Sequence, residues 1–260
     1  MQEIYDINND ECSLWITIKS DVDCKFRVVA ADLKPNSLYA DRVISVKKER
    51  TIFLSFPVSP KKIALKVDCL GDKSRVQFAV SIEKKALVTY DIDEGQNTRQ
   101  FLDLAIPFSQ VCGFETAQPT GKVYQSPDKK FNIKYFPVIK DYMSGKFMNT
   151  PARIGHKTGI IEVAASKFNE YTIPMRMMIL LHEFSHKYKN PEMNVPISSE
   201  TGADVNALYI YLGIGFSKVD AIFVYANVFF KAQTPQNIIR MRKIMNYIQK
   251  FENQDYAKKI

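Results

Sequence analysis

The chain has 260 residues, 46 % of them hydrophobic, and a formal net charge of +8, which is enough apolar material for one or two packed domains. No apolar stretch approaches the roughly 20 residues that a membrane-spanning helix needs, so we expect no membrane contact. Residues 1–6 are acidic and lack an apolar run, so we expect no signal peptide and synthesis in the cytoplasm. The four cysteines show no CxxC spacing and are expected to be reduced thiols: Cys12, Cys24, Cys69 and Cys112.

Short runs of alternating or continuous apolar residues, separated by turn-forming residues, fill the first part of the chain. They are residues 14–18, 26–30, 51–56, 63–67, 76–82, 87–90 and 101–106. Seven or eight strands at this spacing predict an antiparallel β-sandwich or barrel over residues 1–112. We interpret it as an adaptor or docking domain that binds other protein subunits.

A linker is predicted at residues 113–128, where Pro119, Gly121 and Pro127 interrupt regular structure. Two strands, at residues 131–136 and 159–165, and then helices are expected in a second domain, residues 129–260, so the fold class is α+β. The whole positive excess falls in residues 111–260. We interpret it as a solvated surface in preference to a docking face for an acidic partner or nucleic acid, because no nucleic-acid-binding motif accompanies it.

The most informative motif is HExxH, at residues 182–186, which uses two of the three histidines. Thr172 and Pro174 predict the start of a helix that includes the motif and ends near Lys189, before Asn190-Pro191. Residues four apart share a helix face, so His182 and His186 can present two imidazoles to one metal ion. Glu183 lies beside that position and could activate a water molecule. The strand at residues 159–165 could pair with an extended substrate.

A third metal ligand is expected in a second helix that begins at Ser198 or Ser199, where Glu200 and Asp204 lie on one face. Here the sequence resembles the gluzincin metallopeptidases, in which HExxH is followed by a helix with the pattern E-x-x-x-D. The resemblance implies that His182, His186 and Glu200 bind one zinc ion, that Glu183 is the general base and that Asp204 orients the ring of His182.

The chain departs from that pattern in two ways. Only thirteen residues separate His186 from Glu200, and Gly202 lies inside the second helix. Asp204 therefore stays an alternative to Glu200 as the third ligand. No residue matches the family's stabiliser of the transition state; Tyr211, Tyr225 and His156 are alternatives by residue type. Ordinary structural roles also stay open: histidines packed without metal, an inert Glu183, and first-turn acids that favour the helix dipole.

The predicted function is zinc-dependent hydrolysis of peptide bonds in a protein or peptide substrate. The alternative is a structural or assembly subunit with a metallopeptidase-like fold and a vestigial or auxiliary zinc site. The β-rich first half favours this alternative, and the segment around Glu200, Asp204 and Asn206 resembles metalloprotease-like proteins of tailed bacteriophages. That resemblance would imply a virion or tail-associated protein.

Overall fold

The computed structural model describes residues 1–72, 75–92, 95–188, 200–252 and 258–259. The chain divides into two compact units, Met1–Val88 and Thr89–Ile260. The division lies earlier than the predicted boundary at residue 112. Residues 113–128, which we expected to form a linker, belong to the second unit and include a strand.

The first unit is built from antiparallel strands in two sheets. The strands are β1 (Gln2–Asp6), β2 (Cys12–Ser20), β3 (Cys24–Ala31), β4 (Leu38–Val46), β5 (Glu49–Phe56), β6 (Lys62–Cys69) and β7 (Phe78–Ala86). One sheet has the order β1-β6-β3-β4 and the other β5-β2-β7. Buried and more exposed residues alternate along most of β2, β3 and β6, as expected for strands with one face in a core. No closed barrel forms among the residues described, so the barrel alternative is wrong.

Two strands of this unit were not predicted. One strand that was predicted for it is a helix of the second unit. The missed strands are β1 and β4. Residues 101–106, expected to be extended, lie in α1 (Gly95–Val111). Phe101, Leu104, Ala105 and Phe108 are all buried. The last three follow Phe101 by three, four and seven residues, which is helical spacing. This pattern becomes visible only when the run is extended from residue 106 to Phe108.

The second unit combines a small mixed sheet with all the helices of the described residues. Its sheet has the order β11-β12-β10-β9, with β10 and β12 parallel and the other pairs antiparallel. The strands are β8 (Tyr90–Asp91), β9 (Lys122–Gln125), β10 (Asn132–Phe136), β11 (Ala152–Ile154), β12 (Ile161–Ala164) and β13 (Lys258–Lys259), of which β8 and β13 pair separately. The further helices are α2 (Ala165–Phe168), α3 (Ile173–Ser185), α4 (Glu200–Gly213), α5 (Lys218–Val224), a π-helical turn (Tyr225–Phe229) and α6 (Pro235–Glu252).

Helix α3 is the core of this unit. Every one of its residues is buried except Glu183, which is partly exposed. Most of its residues are apolar because neighbours surround the helix: α3 contacts α1, α4, α5, β11 and β12. The buried guanidinium of Arg176 donates to main-chain carbonyls of Ser109, Phe168 and Asn169, which ties α3 to α1 and to the end of α2. Among the described residues, no helix is both long enough and apolar enough to cross a bilayer.

Candidate metal centre

The HExxH residues lie at the end of α3, as the sequence predicts. Thr172 caps the helix: its side chain accepts a hydrogen bond from Met175 N, and proline occupies the first turn. The helix ends at Ser185, and His186 is its C-cap with helical backbone angles. His182 and His186 therefore still lie on one face. The helix therefore ends earlier than the predicted end near Lys189; Lys189 itself and the stop signal at Asn190-Pro191 lie outside the described residues.

The helix α4 brings a carboxylate to these two rings. It runs unbroken through Gly202 from its first residue, Glu200; its predicted caps, Ser198 and Ser199, lie outside the described residues. His182 Nε2 is 3.1 Å from His186 Nε2 and 3.5 Å from Glu200 Oε2. His186 Nε2 is 3.6 Å from Glu200 Oε1. In the described part of the chain, these three residues are the one group of His, Cys, Asp and Glu side chains placed to share a metal ion.

These distances are compatible with a tetrahedral metal site. An ion with bonds of about 2.0–2.1 Å to nitrogen and oxygen holds neighbouring ligand atoms about 3.3–3.4 Å apart. The two ring nitrogens are 3.1 Å apart, and the two nitrogen–oxygen separations of 3.5 and 3.6 Å are near that value but involve different oxygens of Glu200. Two imidazoles and one carboxylate also form a ligand set that zinc uses in catalytic sites, with a fourth position open. The residues present therefore fit a zinc ion.

Asp204 lies behind His182, on the side away from Glu200. Its carboxylate is fully buried, and its Oδ1 is 3.1 Å from His182 Nδ1. The ring N–H is poorly aligned for a hydrogen bond, so the contact is chiefly electrostatic. A carboxylate next to Nδ1 is positioned to orient a ring whose Nε2 binds a metal ion. The carboxylate that approaches the two Nε2 atoms is that of Glu200, not that of Asp204.

Arg240 of α6 is a part of the site that the sequence analysis missed. Its Nε and Nη2 donate to the two oxygens of Asp204 at 2.7 and 2.9 Å, and Nη2 also donates to Glu200 Oε2 at 3.1 Å. From the sequence, we interpret the positive excess of residues 111–260, which includes Arg240, as a solvated surface. No local pattern marks Arg240, because its partners lie 36 and 40 positions earlier in the chain.

The carboxylates determine how the two histidines hold charge. Burial lowers the pKa of His182, but the carboxylates of Asp204 and Glu200 outweigh it and raise the pKa to about 9. Burial and then the positive charge on His182 lower the pKa of His186. Contact with His182 lowers the pKa of Glu200 to about 2. Around Glu200 and Asp204 the site thus places two cationic groups, the guanidinium of Arg240 and the ring of His182, next to the imidazole of His186, whose pKa is lowered.

Glu183 lines the same cavity as the three ligands. The cavity has a volume of about 510 Å³, and β11, the end of α3 and the π-helical turn contribute to its walls. Burial raises the pKa of Glu183, opposed by the charge of His182 and by the main-chain N–H of Ile154. The π-helical turn places the Phe229 ring 4.4 Å from that of His182. A carboxylate of raised pKa beside an open cavity can exchange protons with a bound molecule.

The three residues considered as stabilisers of a transition state are placed very differently. His156 lies in the turn between β11 and β12, lines the cavity, and its ring is 6.3 Å from that of His186. Tyr211 is fully buried and stacks on Phe216. Tyr225 is fully buried, and its hydroxyl donates to the main-chain oxygen of Asp204 at 2.7 Å. The structure brings His156 to the site, whereas neither tyrosine lines the cavity.

Asn206 links the two ligand-bearing helices and was not considered as a site residue. It is buried on α4, and its Nδ2 donates to Ser185 Oγ at 2.8 Å and to Tyr188 O at 3.3 Å. Ser185 lies between the two histidines, so this contact sets the distance of α4 from the end of α3.

Comparisons with protein-family models, with curated proteins and with solved structures find no match to this chain. The likeness to the gluzincins therefore rests on the residues of this site.

Proposed function

We propose that the protein is a zinc-dependent hydrolase of peptide bonds. One observation is the main support: His182, His186 and Glu200 each offer one ligand atom within 4.8 Å of the other two, and Glu183 lines the same open cavity. A metal site that served only to stabilise the fold would have four protein ligands and no cavity. The site residues predicted from the sequence take the same roles in this proposal.

In the proposed mechanism, Glu183 moves the protons. A zinc ion bound by the two histidines and Glu200 would polarise the scissile carbonyl and lower the pKa of water. Glu183 takes a proton from the attacking water and passes it to the amine that leaves. Its burial suits this role, because burial raises the pKa of the carboxyl and so makes the carboxylate a stronger base. Asp204 orients His182, and His156 would donate a hydrogen bond to the oxygen that develops negative charge.

An extended peptide can pair with β11. Ala164 N donates to Pro151 O and Gly155 N to Ile160 O, so residues 151, 153 and 155 form the hydrogen-bonded pairs with β12. In an antiparallel ladder the residues between them direct their main-chain groups to the opposite edge. Ala152 and Ile154 do so, and within the described residues that edge has no partner strand. The N–H of Ile154 already contacts Glu183, so a peptide would pair through the other main-chain groups of these two residues. We had proposed the strand at residues 159–165 for this role, but β12 lies inside the sheet and has no free edge.

The first test is the zinc content of purified chains. We expect one zinc per wild-type chain, loss of zinc from Glu200→Ala, and retention in Glu183→Gln and in the control Glu170→Ala, which alters an exposed acid. Cleavage of a peptide library should fall by about 10²–10⁴-fold in Glu183→Gln. A wild-type chain that binds no zinc would refute the proposal, and so would a Glu183→Gln variant with full activity.

A second candidate function is that of an assembly subunit, in which the first unit docks on other protein subunits. The observation in its favour is a solvent-facing aromatic pair on the β5-β2-β7 sheet. Trp15 and Phe53 are cross-strand neighbours, 39 % and 43 % exposed, with rings 6.1 Å apart. We expect the chain to self-associate or to bind a partner subunit through this pair. Sedimentation as a monomer at every concentration, with Trp15 fluorescence unchanged, would argue against self-association.

A further inference from the structure

Two of the four cysteines lie side by side in the first unit, far apart in sequence. The Sγ atoms of Cys24 and Cys69 are 3.0 Å apart, and the two residues are separated by 45 positions. We propose that Cys24 and Cys69 are a modification site, which a low-molecular-weight disulfide converts into an intramolecular disulfide bond. The proposal is independent of the metal centre, because both residues belong to the first unit.

The sheet brings the two sulfurs together. Cys24 begins β3 and Cys69 ends β6, and the antiparallel register pairs Phe26 with Cys69. Cys24 is therefore diagonal to Cys69, and continuation of the register places Gly71 opposite Cys24. A Cβ atom at Gly71 would lie 2.9 Å from Cys24 Sγ and 3.7 Å from Cys69 Sγ. The missing side chain of Gly71 thus leaves the space that the two sulfurs occupy.

The two thiols differ in exposure, which suggests an order of events. Cys24 is partly exposed, whereas Cys69 is 3 % exposed. The Cys24 thiolate attacks one sulfur of oxidised glutathione, which forms a mixed disulfide and releases one glutathione thiolate. The Cys69 thiolate then attacks Cys24 Sγ, which forms the intramolecular bond and releases the second glutathione. Two protein thiols are oxidised, and one molecule of oxidised glutathione is reduced to two of glutathione.

The other two cysteines supply internal controls. Cys12 and Cys112 are 1 % and 0 % exposed. Burial raises the pKa of Cys12, and it raises the pKa of Cys112 to about 11. A buried thiol with a raised pKa is a poor nucleophile, so these two should keep their protons under the same treatment.

The experiment uses the full chain, equilibrated with oxidised glutathione, quenched with acid, alkylated and digested with trypsin without reductant. We expect a linked pair of peptides, residues 20–25 with residues 67–73, that disappears after reduction. Cys24→Ser and Cys69→Ser should abolish it, and Cys12→Ser should retain it. In urea the yield of this pair relative to other cysteine pairings should fall at least about tenfold, because the sheet no longer supplies a high local concentration.

The oxidised protein should also melt at a higher temperature. The bond closes a long loop across the first unit, which restricts the unfolded chain, so the transition seen by Trp15 fluorescence should rise by about 5 °C or more. Complete alkylation of both thiols after the oxidation step would overturn the proposal. So would random pairing in the folded wild-type chain, or a stable glutathione adduct on Cys24 with no link to Cys69.

Discussion

The contact of Arg240 with Asp204 leads to a sharp prediction about stability. Asp204 is fully buried, and Arg240 is the cation that donates two hydrogen bonds to it, at 2.7 and 2.9 Å. Arg240→Ala removes the cation that donates both of these hydrogen bonds to the carboxylate. We expect a large loss in the free energy of unfolding of the metal-free second unit.

The magnitude follows from burial. Removal of one partner of a buried ion pair costs about 3–5 kcal/mol, since the remaining charge stays desolvated. His182 Nδ1 is 3.1 Å from Asp204 and compensates for part of that charge, so we expect about 3 kcal/mol. Arg240→Lys keeps the charge but cannot span both oxygens, and we expect about half of this loss.

The assay is urea denaturation in the presence of a chelator, followed by far-ultraviolet circular dichroism of the helices. The helices of the described residues all belong to the second unit, whereas the single tryptophan, Trp15, belongs to the first. Loss of helical signal therefore reports the second unit, and tryptophan fluorescence is an internal control that should not change. Arg242→Ala, an exposed arginine on the same helix, should cost less than about 0.5 kcal/mol.

Two results would refute this reasoning. If Arg240→Ala costs no more than Arg242→Ala, Asp204 is not held as a buried anion by the arginine. If the loss appears equally in the Trp15 transition, the effect is not confined to the second unit.

Three further predictions concern the same unit. Asn206→Ala should weaken zinc binding about 10–100-fold, because Ser185 loses its donor from α4; competition with a coloured chelator would measure this, and unchanged affinity would exclude a positioning role. Gly213→Ala should destabilise by about 1–3 kcal/mol, because the added Cβ would overlap the side chain of Ile92, and Ile92→Ala in the same chain should recover part of the loss. A chelator should lower the melting temperature of the helical transition and leave that of Trp15 unchanged, since binding at 100 times Kd contributes about 2.7 kcal/mol to the unit that holds the metal.

Some features of the chain follow from local spacing alone. The positions of His182 and His186 on one helix face and the cap at Thr172 depend on residues within a few positions of each other. Local sterics and main-chain hydrogen bonds determine such features, so the sequence predicts them correctly. The same holds for most strands of the first unit, where apolar residues alternate.

The local pattern of apolar residues gave a wrong prediction where a short run was compatible with both a strand and a helix. Residues 101–106 are apolar enough for a strand, yet the helical spacing extends to Phe108 and packs α1 against α3. A run of six residues contains fewer than two helical turns, so periodicity cannot separate the two states. Tertiary packing decided between them.

The rest of the site and the thiol pair depend on which elements meet. The choice of Glu200 over Asp204 for the metal position, the approach of Arg240 from α6 and the proximity of Cys24 to Cys69 all join residues distant in sequence. Spacing along the chain specifies which face of a helix or strand a side chain occupies. Only packing between elements, driven by burial of their apolar faces, specifies what that side chain contacts.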